Sequence, residues 1–206
     1  MLAGGRSSRM GVDKASLLFR GQPLVAHALD ILRGARLDVS IAGSRADLRA
    51  YAPVVEDAES GLGPLGGICS ALATTAARWA VFLPVDLPLV PSLLVRSLLN
   101  HARATGNAIN LTSLAGFVQT FPAVLDVAVL PGLKAELEAG RRGCFSAFQA
   151  AANGLGQPMS VVAAESLVQD GQVTHPEGRP LASWFSNINS REDLRRAEAH
   201  FPGFFA

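Results

Sequence analysis

The feature that most constrains the fold is the alternation of short apolar runs with segments of helical periodicity along most of the chain. Residues 79–83 form a continuously apolar run, typical of a strand buried on both faces of a parallel sheet. The remaining strands are predicted at 39–42, 53–55, 107–111, 120–125 and 159–164. The helices are predicted at 23–33, 45–51, 61–78, 91–104, 127–138, 144–152 and 191–200, the last with Ser190 as its N-cap. This order predicts an α/β fold of three layers, with helices on both faces of a mostly parallel sheet.

Composition narrows the class of protein further. With 206 residues, of which 49% are hydrophobic and 17% charged, the chain is expected to form one compact domain over residues 1–206. A net charge of +1 gives no general field that would attract nucleic acid or an acidic membrane surface, and the apolar runs are too short to span a membrane. Cys69 and Cys144 show no C-x-x-C spacing, which favours reduced thiols in a cytoplasmic protein over a disulfide or a zinc site.

The segment with the clearest chemistry is the first one, MLAGGRSSRMGVDK, which combines glycines, hydroxyls and cations. Leu2-Ala3 is expected to end a buried strand, so the segment that follows would lie at the edge where open α/β sheets bind ligands. Gly4-Gly5 allows backbone N–H groups to approach an anion, and Arg9 and Lys14 add full positive charge. We therefore predict a phosphate-binding loop, although its spacing is neither that of a P-loop nor that of the dinucleotide fingerprint.

The strand before this loop is short. Only Leu2-Ala3 precedes the glycines after the initial Met1, whereas buried strands usually have about five or six residues. We therefore expect the first strand to begin upstream of Met1.

Asp86 is the second strong signal. It follows the apolar run 79–83 and lies between Pro84 and Pro88, so its carboxylate is expected at the same edge of the sheet as the loop. A carboxylate facing phosphates requires a divalent cation between them, and Mg²⁺ prefers one or two carboxylates together with phosphate oxygens. The alternative is that Asp86 caps the next helix.

Two further positions carry weaker signals. Asp57 follows the strand predicted at 53–55 and either accepts hydrogen bonds from a guanine base or caps the turn before Gly61. Asn187 and Asn189 follow an apolar segment and either contact a substrate or satisfy their own backbone, as Asn side chains in turns often do. The four histidines form no catalytic set and no G-x-S-x-G elbow occurs, so hydrolase chemistry is not expected.

The chain resembles the molybdenum cofactor guanylyltransferases from end to end. The first segment matches the signature L-A-G-G-x-S-x-R-M-G-x-D-K, and the other similar stretches are 21–24, 55–57, 63–67, 83–88 and 187–194. The resemblance implies a Rossmann-like nucleotidyltransferase fold. It also implies transfer of GMP from GTP to the terminal phosphate of molybdenum-molybdopterin, which gives molybdopterin guanine dinucleotide and pyrophosphate.

The resemblance further implies a role for each candidate residue. The implied roles are GTP binding by the backbone of Leu2-Ala3-Gly4 and by Lys14, phosphate binding by Arg9, guanine binding by Asp57, Mg²⁺ and nucleotide binding by Asp86, and pterin binding by Asn187 and Asn189. It leaves open transient contact with an accessory GTPase or with recipient molybdoenzymes.

Three departures from the family pattern concern the substrates. The chain has Ala42-Gly43-Ser44 where the family often has N-x-N, Val85 where it often has Cys, and Phe121-Pro122 where it has His-Pro. Two alternatives therefore stay open: a cytidylyl- or sugar-phosphate nucleotidyltransferase of the same fold, and a non-catalytic nucleotide-binding adaptor. Relatives of the first kind more often read L-A-A-G, with Ala in place of Gly4, which favours the guanylyl branch.

Overall fold

The computed structural model of the protein describes residues 1–3, 13–59 and 61–199. Their strands are β1 (Leu18–Phe19), β2 (Gln22–Pro23), β3 (Ile41–Ala42), β4 (Val54–Val55), β5 (Trp79–Phe82), β6 (Ile109–Leu114), β7 (Phe117–Asp126) and β8 (Ser160–Ala163). Their helices are α1 (Leu24–Gly34), α2 (Gly63–Thr74), α3 (Ser92–Thr105), α4 (Leu130–Glu138), α5 (Cys144–Gly154), α6 (Ala164–Gln169) and α7 (Arg191–Ala199). Short 3-10 turns occur at Lys14–Ser16, Ala46–Leu48, Val127–Val129 and Leu181–Ser183.

The first residues of the chain connect two parts of the sheet. Leu2 forms parallel bridges with Ala42 on one side and with Pro84, just beyond β5, on the other. β4 pairs with β3, and on the other side the order continues β5, β7, β6, β8. The pairs β3/β4 and β6/β8 are parallel, whereas β7 runs antiparallel to both β5 and β6. The sheet is therefore mixed, with β7 as the strand of opposite direction.

The helices lie on both faces of this sheet, as predicted. One buried cluster contains apolar residues of α1 and α3, among them Leu29 and Leu94. A separate cluster joins α2, α4 and α5, with Ile68, Leu133 and Phe148 fully buried. The α/β fold and its three layers are confirmed, and no helix of the described ranges is long and apolar enough to cross a membrane.

The interpretation of residues 79–83 as a strand between parallel neighbours is wrong on one side: Leu2 bridges in parallel to Pro84 just beyond the run, but β7 is antiparallel. β5 pairs antiparallel with β7 along its whole length, and three of its four residues are only half-buried. The reason is the hairpin that joins β6 to β7 through Ala115 and Gly116, with φ values of 49° and 79°. This turn reverses the chain, so β7 runs antiparallel to β6 and also to β5 on its other side. Two positive φ angles are typical of the tight turns that join antiparallel strands. An apolar run therefore predicts a strand here, but it shows neither how fully the strand is buried nor the direction of its neighbour.

Candidate active site

The candidate active site lies where the parallel strands end. Because Leu2 is bridged to Ala42 and to Pro84, the residues that follow these three positions emerge at the same edge of the sheet. β4 is parallel to β3, so Asp57 lies at this edge as well. Open α/β sheets bind ligands at the carboxyl ends of their strands. The topology therefore brings together the start of the first segment, Asp57 and Asp86.

Lys14 and Asp86 form the centre of the site. The ammonium nitrogen Nζ of Lys14 lies 3.0 Å from Oδ2 of Asp86, and the two side chains are 21% and 20% exposed. Lys14 also donates a hydrogen bond to Oδ1 of Asn189. Within the described ranges Oδ1 of Asp86 accepts no hydrogen bond, so this carboxylate retains an oxygen for a ligand.

The segment before α7 is attached to the same centre. The backbone N–H of Ile188 donates to the carbonyl oxygen of Asp86 over 2.9 Å. The N–H of Asn189 donates to Oδ2 of Asp193, and Asp193 in turn donates its N–H to Oγ of Ser190. This reciprocal cap confirms Ser190 as the residue that begins the last helix and holds Asn189 in place over Lys14.

The two asparagines predicted to face one substrate lie in different surroundings. Asn189 is hydrogen-bonded to Lys14, whereas Asn187 lines a cleft of about 340 Å³ between the 3-10 turn at Leu181–Ser183 and α7. Ile188, between them, is buried. The structure therefore brings Asn189, but not Asn187, to the Lys14 and Asp86 pair.

Asp57 is a carboxylate without a full set of partners. Its Oδ1 is buried and has no hydrogen-bond partner within the described ranges. Burial raises the pKa of the Asp57 carboxyl, and a backbone hydrogen bond from Ser44 partly opposes this shift. A methyl group on Gly67 of α2 would lie 3.4 Å from Oδ1, so the absence of a side chain there leaves room beside the carboxylate. Glu56 next to it is exposed and pairs with Arg49 at 2.6 Å.

Sequence reasoning missed an ion pair beside Lys14. Arg45 donates from Nη1 and Nη2 to Oδ1 and Oδ2 of Asp13, over 3.0 and 2.5 Å. The separation of 32 positions along the chain leaves no local signal for this contact. The adjacency of Asp13 to Lys14 is the one feature of the sequence that could have directed attention to it.

Several predicted site residues lie outside the described ranges, namely Gly4, Gly5 and Arg9. Their roles stay predictions. Among the residues that the structure describes, no group of three or more His, Cys, Asp or Glu side chains gathers in a way that could hold a metal ion.

The departures from the family pattern have structural explanations at two positions. Phe121 packs against both main clusters, and its ring meets that of Phe148 edge-on at 6.3 Å, so this position contributes to the core. Val85 is buried as well.

Cys69 and Cys144 are both free thiols, and burial raises the pKa of each to about 11. Neither thiol is therefore activated as a nucleophile.

Two solved structures share the fold of this chain. The molybdopterin-guanine dinucleotide biosynthesis protein A of Archaeoglobus fulgidus superposes with a TM-score of 0.76 at 20% identity, covering 96% of this chain and 95% of that one. The 2-C-methyl-D-erythritol 4-phosphate cytidylyltransferase of Thermus thermophilus gives a TM-score of 0.66 at 19% identity, with 96% and 95% covered. At these identities the likeness shows the fold, and the fold is that of a nucleotidyltransferase.

Sequence comparison identifies the family within this class. A molybdenum cofactor guanylyltransferase of Pseudomonas putida F1 is 42% identical over 147 residues, which cover 69% of this chain and 76% of that protein. The family model described as MobA-like NTP transferase domain matches residues 1–166. The chain belongs to this family of nucleotidyltransferases.

Proposed function

We propose that this chain transfers GMP from GTP to the terminal phosphate of molybdenum-molybdopterin, with release of pyrophosphate. The observation that carries the proposal is the contact of Lys14 with Asp86 at the carboxyl edge of the sheet, in a chain 42% identical to a molybdenum cofactor guanylyltransferase. The free thiols Cys69 and Cys144 support a cytoplasmic setting for this reaction, because cytoplasmic thiols are kept reduced.

The reaction requires the approach of two anions. An oxygen of the acceptor phosphate attacks the α-phosphorus of GTP, the bond from that phosphorus to the bridging oxygen breaks, and pyrophosphate leaves with the electron pair. A phosphate monoester is already anionic at neutral pH and needs no general base. Catalysis therefore consists of positioning and of stabilising negative charge, for which Lys14 supplies a fixed cation.

Asp86 fits a magnesium site of the kind found in nucleotide-dependent enzymes. It supplies one carboxylate with a free oxygen, and Mg²⁺ usually takes one or two carboxylates while the substrate phosphates complete its ligands. When bound, the ion neutralises phosphate charge and makes the α-phosphorus more electrophilic. If the Lys14 ammonium moved from Asp86 to the substrate phosphates, the Asp86 carboxylate would be free to hold the metal ion.

Asp57 supplies the proposed recognition of guanine. The N1–H and exocyclic amine of guanine are two adjacent donors, and the buried Oδ1 of Asp57 is an acceptor without a donor in the described ranges. Cytosine and adenine do not present this pair of donors. On the acceptor side, Asn187 and Asn189 remain the proposed contacts of the pterin substrate.

Nucleotide-dependent thermal stability tests the substrate assignment. With Mg²⁺, GTP is expected to raise the melting temperature more than CTP, UTP or ATP at equal concentration, since ligand at about 100 times its Kd adds roughly 2.7 kcal/mol of stability. A larger shift with CTP would favour a cytidylyltransferase. Equal shifts for all four would contradict guanine recognition.

The Asp57→Asn variant is expected to lose GTP affinity by about 10–100-fold, on the scale of one hydrogen bond to a charged group, and to bind CTP or ATP with unchanged affinity.

The same variant is expected to melt at or above the wild-type temperature without nucleotide at pH 7. The pKa of Asp57 is raised in the folded protein, so the ionised carboxylate destabilises the fold at pH values above the ordinary pKa of a carboxyl group. This destabilisation disappears as the pH falls below that ordinary pKa.

Isothermal titrations of both proteins with the four nucleoside triphosphates measure the affinities, and pH-dependent melting measures the stability. Glu56→Gln is the matched control, because Glu56 is the neighbouring carboxylate and is exposed. Equal losses for all four nucleotides would make Asp57 a general scaffold residue, and recognition of the base would then rest on the backbone at 63–67.

A further inference from the structure

The guanidinium of Arg45 is held by two carboxylates and reaches a third group. It forms the paired contacts with Asp13, and on its other side Nε and Nη2 donate to Oδ1 and Oδ2 of Asp47 over 2.9 and 2.6 Å. Nη1 also donates to the carbonyl oxygen of Ala3 over 3.4 Å. These bonds raise the pKa of Arg45 above its usual range, with the Asp47 contact as the largest favourable contribution, so the guanidinium is charged at every pH of interest.

Two of the residues that Arg45 contacts, Ala3 and Asp13, flank residues 4–12. Ala3 is the last residue before positions 4–12, and Asp13 is the first residue after them. One side chain therefore connects the two ends of the predicted phosphate-binding loop. Arg45 itself is anchored from β3, because it follows that strand by three residues and its side chain is only 17% exposed.

Asp13 passes this constraint on to Lys14. Its Oδ2 accepts from Oγ of Ser16 at 3.1 Å, and its Oδ1 faces the N–H of Ala15 at 3.4 Å, so Asp13 caps the 3-10 turn Lys14–Ser16. Displacement of Asp13 would shift the start of this turn and with it the Lys14 ammonium. A planar fork that binds both carboxylate oxygens fixes orientation as well as position, which a Lys at residue 45 would not do.

We infer that Arg45 is a positioning residue that acts through Asp13 to hold Lys14 against Asp86 and the substrate phosphates. The catalytic part of this inference rests on the proposed function. The positional part does not, since it concerns the location of the Lys14 ammonium in the protein without nucleotide.

The first experiment measures that location directly. The chain has two lysines, Lys14 and Lys134, so acetylation by a limiting amine reagent followed by mass spectrometry gives the reactivity of Lys14 with Lys134 as internal reference. In the Arg45→Ala and Asp13→Asn variants we expect the ratio to rise by about tenfold, on the scale of one lost charge-assisted hydrogen bond. Arg49→Ala, a matched change of an exposed arginine on the same segment, is expected to leave the ratio unchanged.

The second experiment measures the consequence for the transfer reaction. Arg45→Ala is expected to lower kcat by about 10–100-fold per folded molecule, since misplacement of a catalytic group by about 1 Å costs up to 10²-fold. In the Lys14→Ala background the same change is expected to cost less than about twofold, because a residue that acts through Lys14 has nothing left to position. Arg45→Lys is expected to restore part of the rate.

Each outcome separates the inference from the proposed function. An unchanged acetylation ratio in both variants, or equal losses of rate with and without Lys14, would overturn the role of Arg45. If the wild-type protein transfers no GMP, but the acetylation ratio is raised in both variants, the proposed function is overturned and the positioning role of Arg45 is retained. Circular dichroism and melting curves confirm that each variant is folded, and Asp13→Asn, which keeps the size of the side chain, serves if Arg45→Ala does not fold.

Discussion

The Asp86→Asn variant is expected to fold as the wild type does and to transfer GMP at least about 10²-fold more slowly. A neutral amide binds Mg²⁺ poorly and leaves the charge of the triphosphate uncompensated. The side chain is partly exposed and keeps its size, so the loss of its ion pair with Lys14 affects stability little in comparison.

Initial rates at a series of Mg²⁺ concentrations measure this effect, with Asp170→Asn, an exposed carboxylate at the end of α6, as control. The variant is expected to need more Mg²⁺ for half-maximal rate and to stay slow at saturation. Wild-type turnover at limiting Mg²⁺ would show that Asp86 has no part in holding the metal.

Replacement of Lys14 by Ala is expected to lower the rate by roughly 10²–10³-fold, the scale of one preorganised donor in an active site. The ammonium is a fixed charge next to the reacting phosphates, and no other described lysine can replace it, since Lys134 lies on α4. The melting temperature is expected to change little, because the Lys14–Asp86 pair is partly exposed and such pairs contribute little to stability.

Single-turnover rates and melting curves measure the two effects separately, and Lys134→Ala is the control for the loss of a positive charge. We expect a slow, folded Lys14→Ala protein. A variant that is largely unfolded but active per folded molecule would make Lys14 a structural residue.

The sequence predicted the layers well where one periodicity dominates. The helix predicted at 23–33 is α1 at Leu24–Gly34, because five of its apolar residues recur at helical spacing and are buried. The strands between helices were predicted from their short apolar runs, and β3, β4, β6, β7 and β8 overlap these runs. Their directions were not predicted, since the β6–β7 hairpin depends on a two-residue turn at Ala115 and Gly116 that has no strong turn composition.

The candidate site was predicted in part. Asp86 and Lys14 were found because each stands next to a conspicuous local pattern, an apolar run or a glycine-rich segment. Arg45 was missed because its partner Asp13 is near it only in the folded chain. Asn189 was predicted to face the pterin, but its contact with Lys14 depends on how the last segment returns to Asp86, which no local pattern reveals.

A transfer assay with GTP labelled at the α-phosphorus, Mg²⁺ and molybdenum-loaded molybdopterin tests the proposed GMP transfer most directly. We expect label to appear in a guanine dinucleotide, unlabelled pyrophosphate to form in equal amount, and neither product to form without the acceptor. Labelled CTP in place of GTP is expected to give little product. Transfer from CTP in preference to GTP, or nucleotide binding with no transfer to this acceptor, would contradict the account.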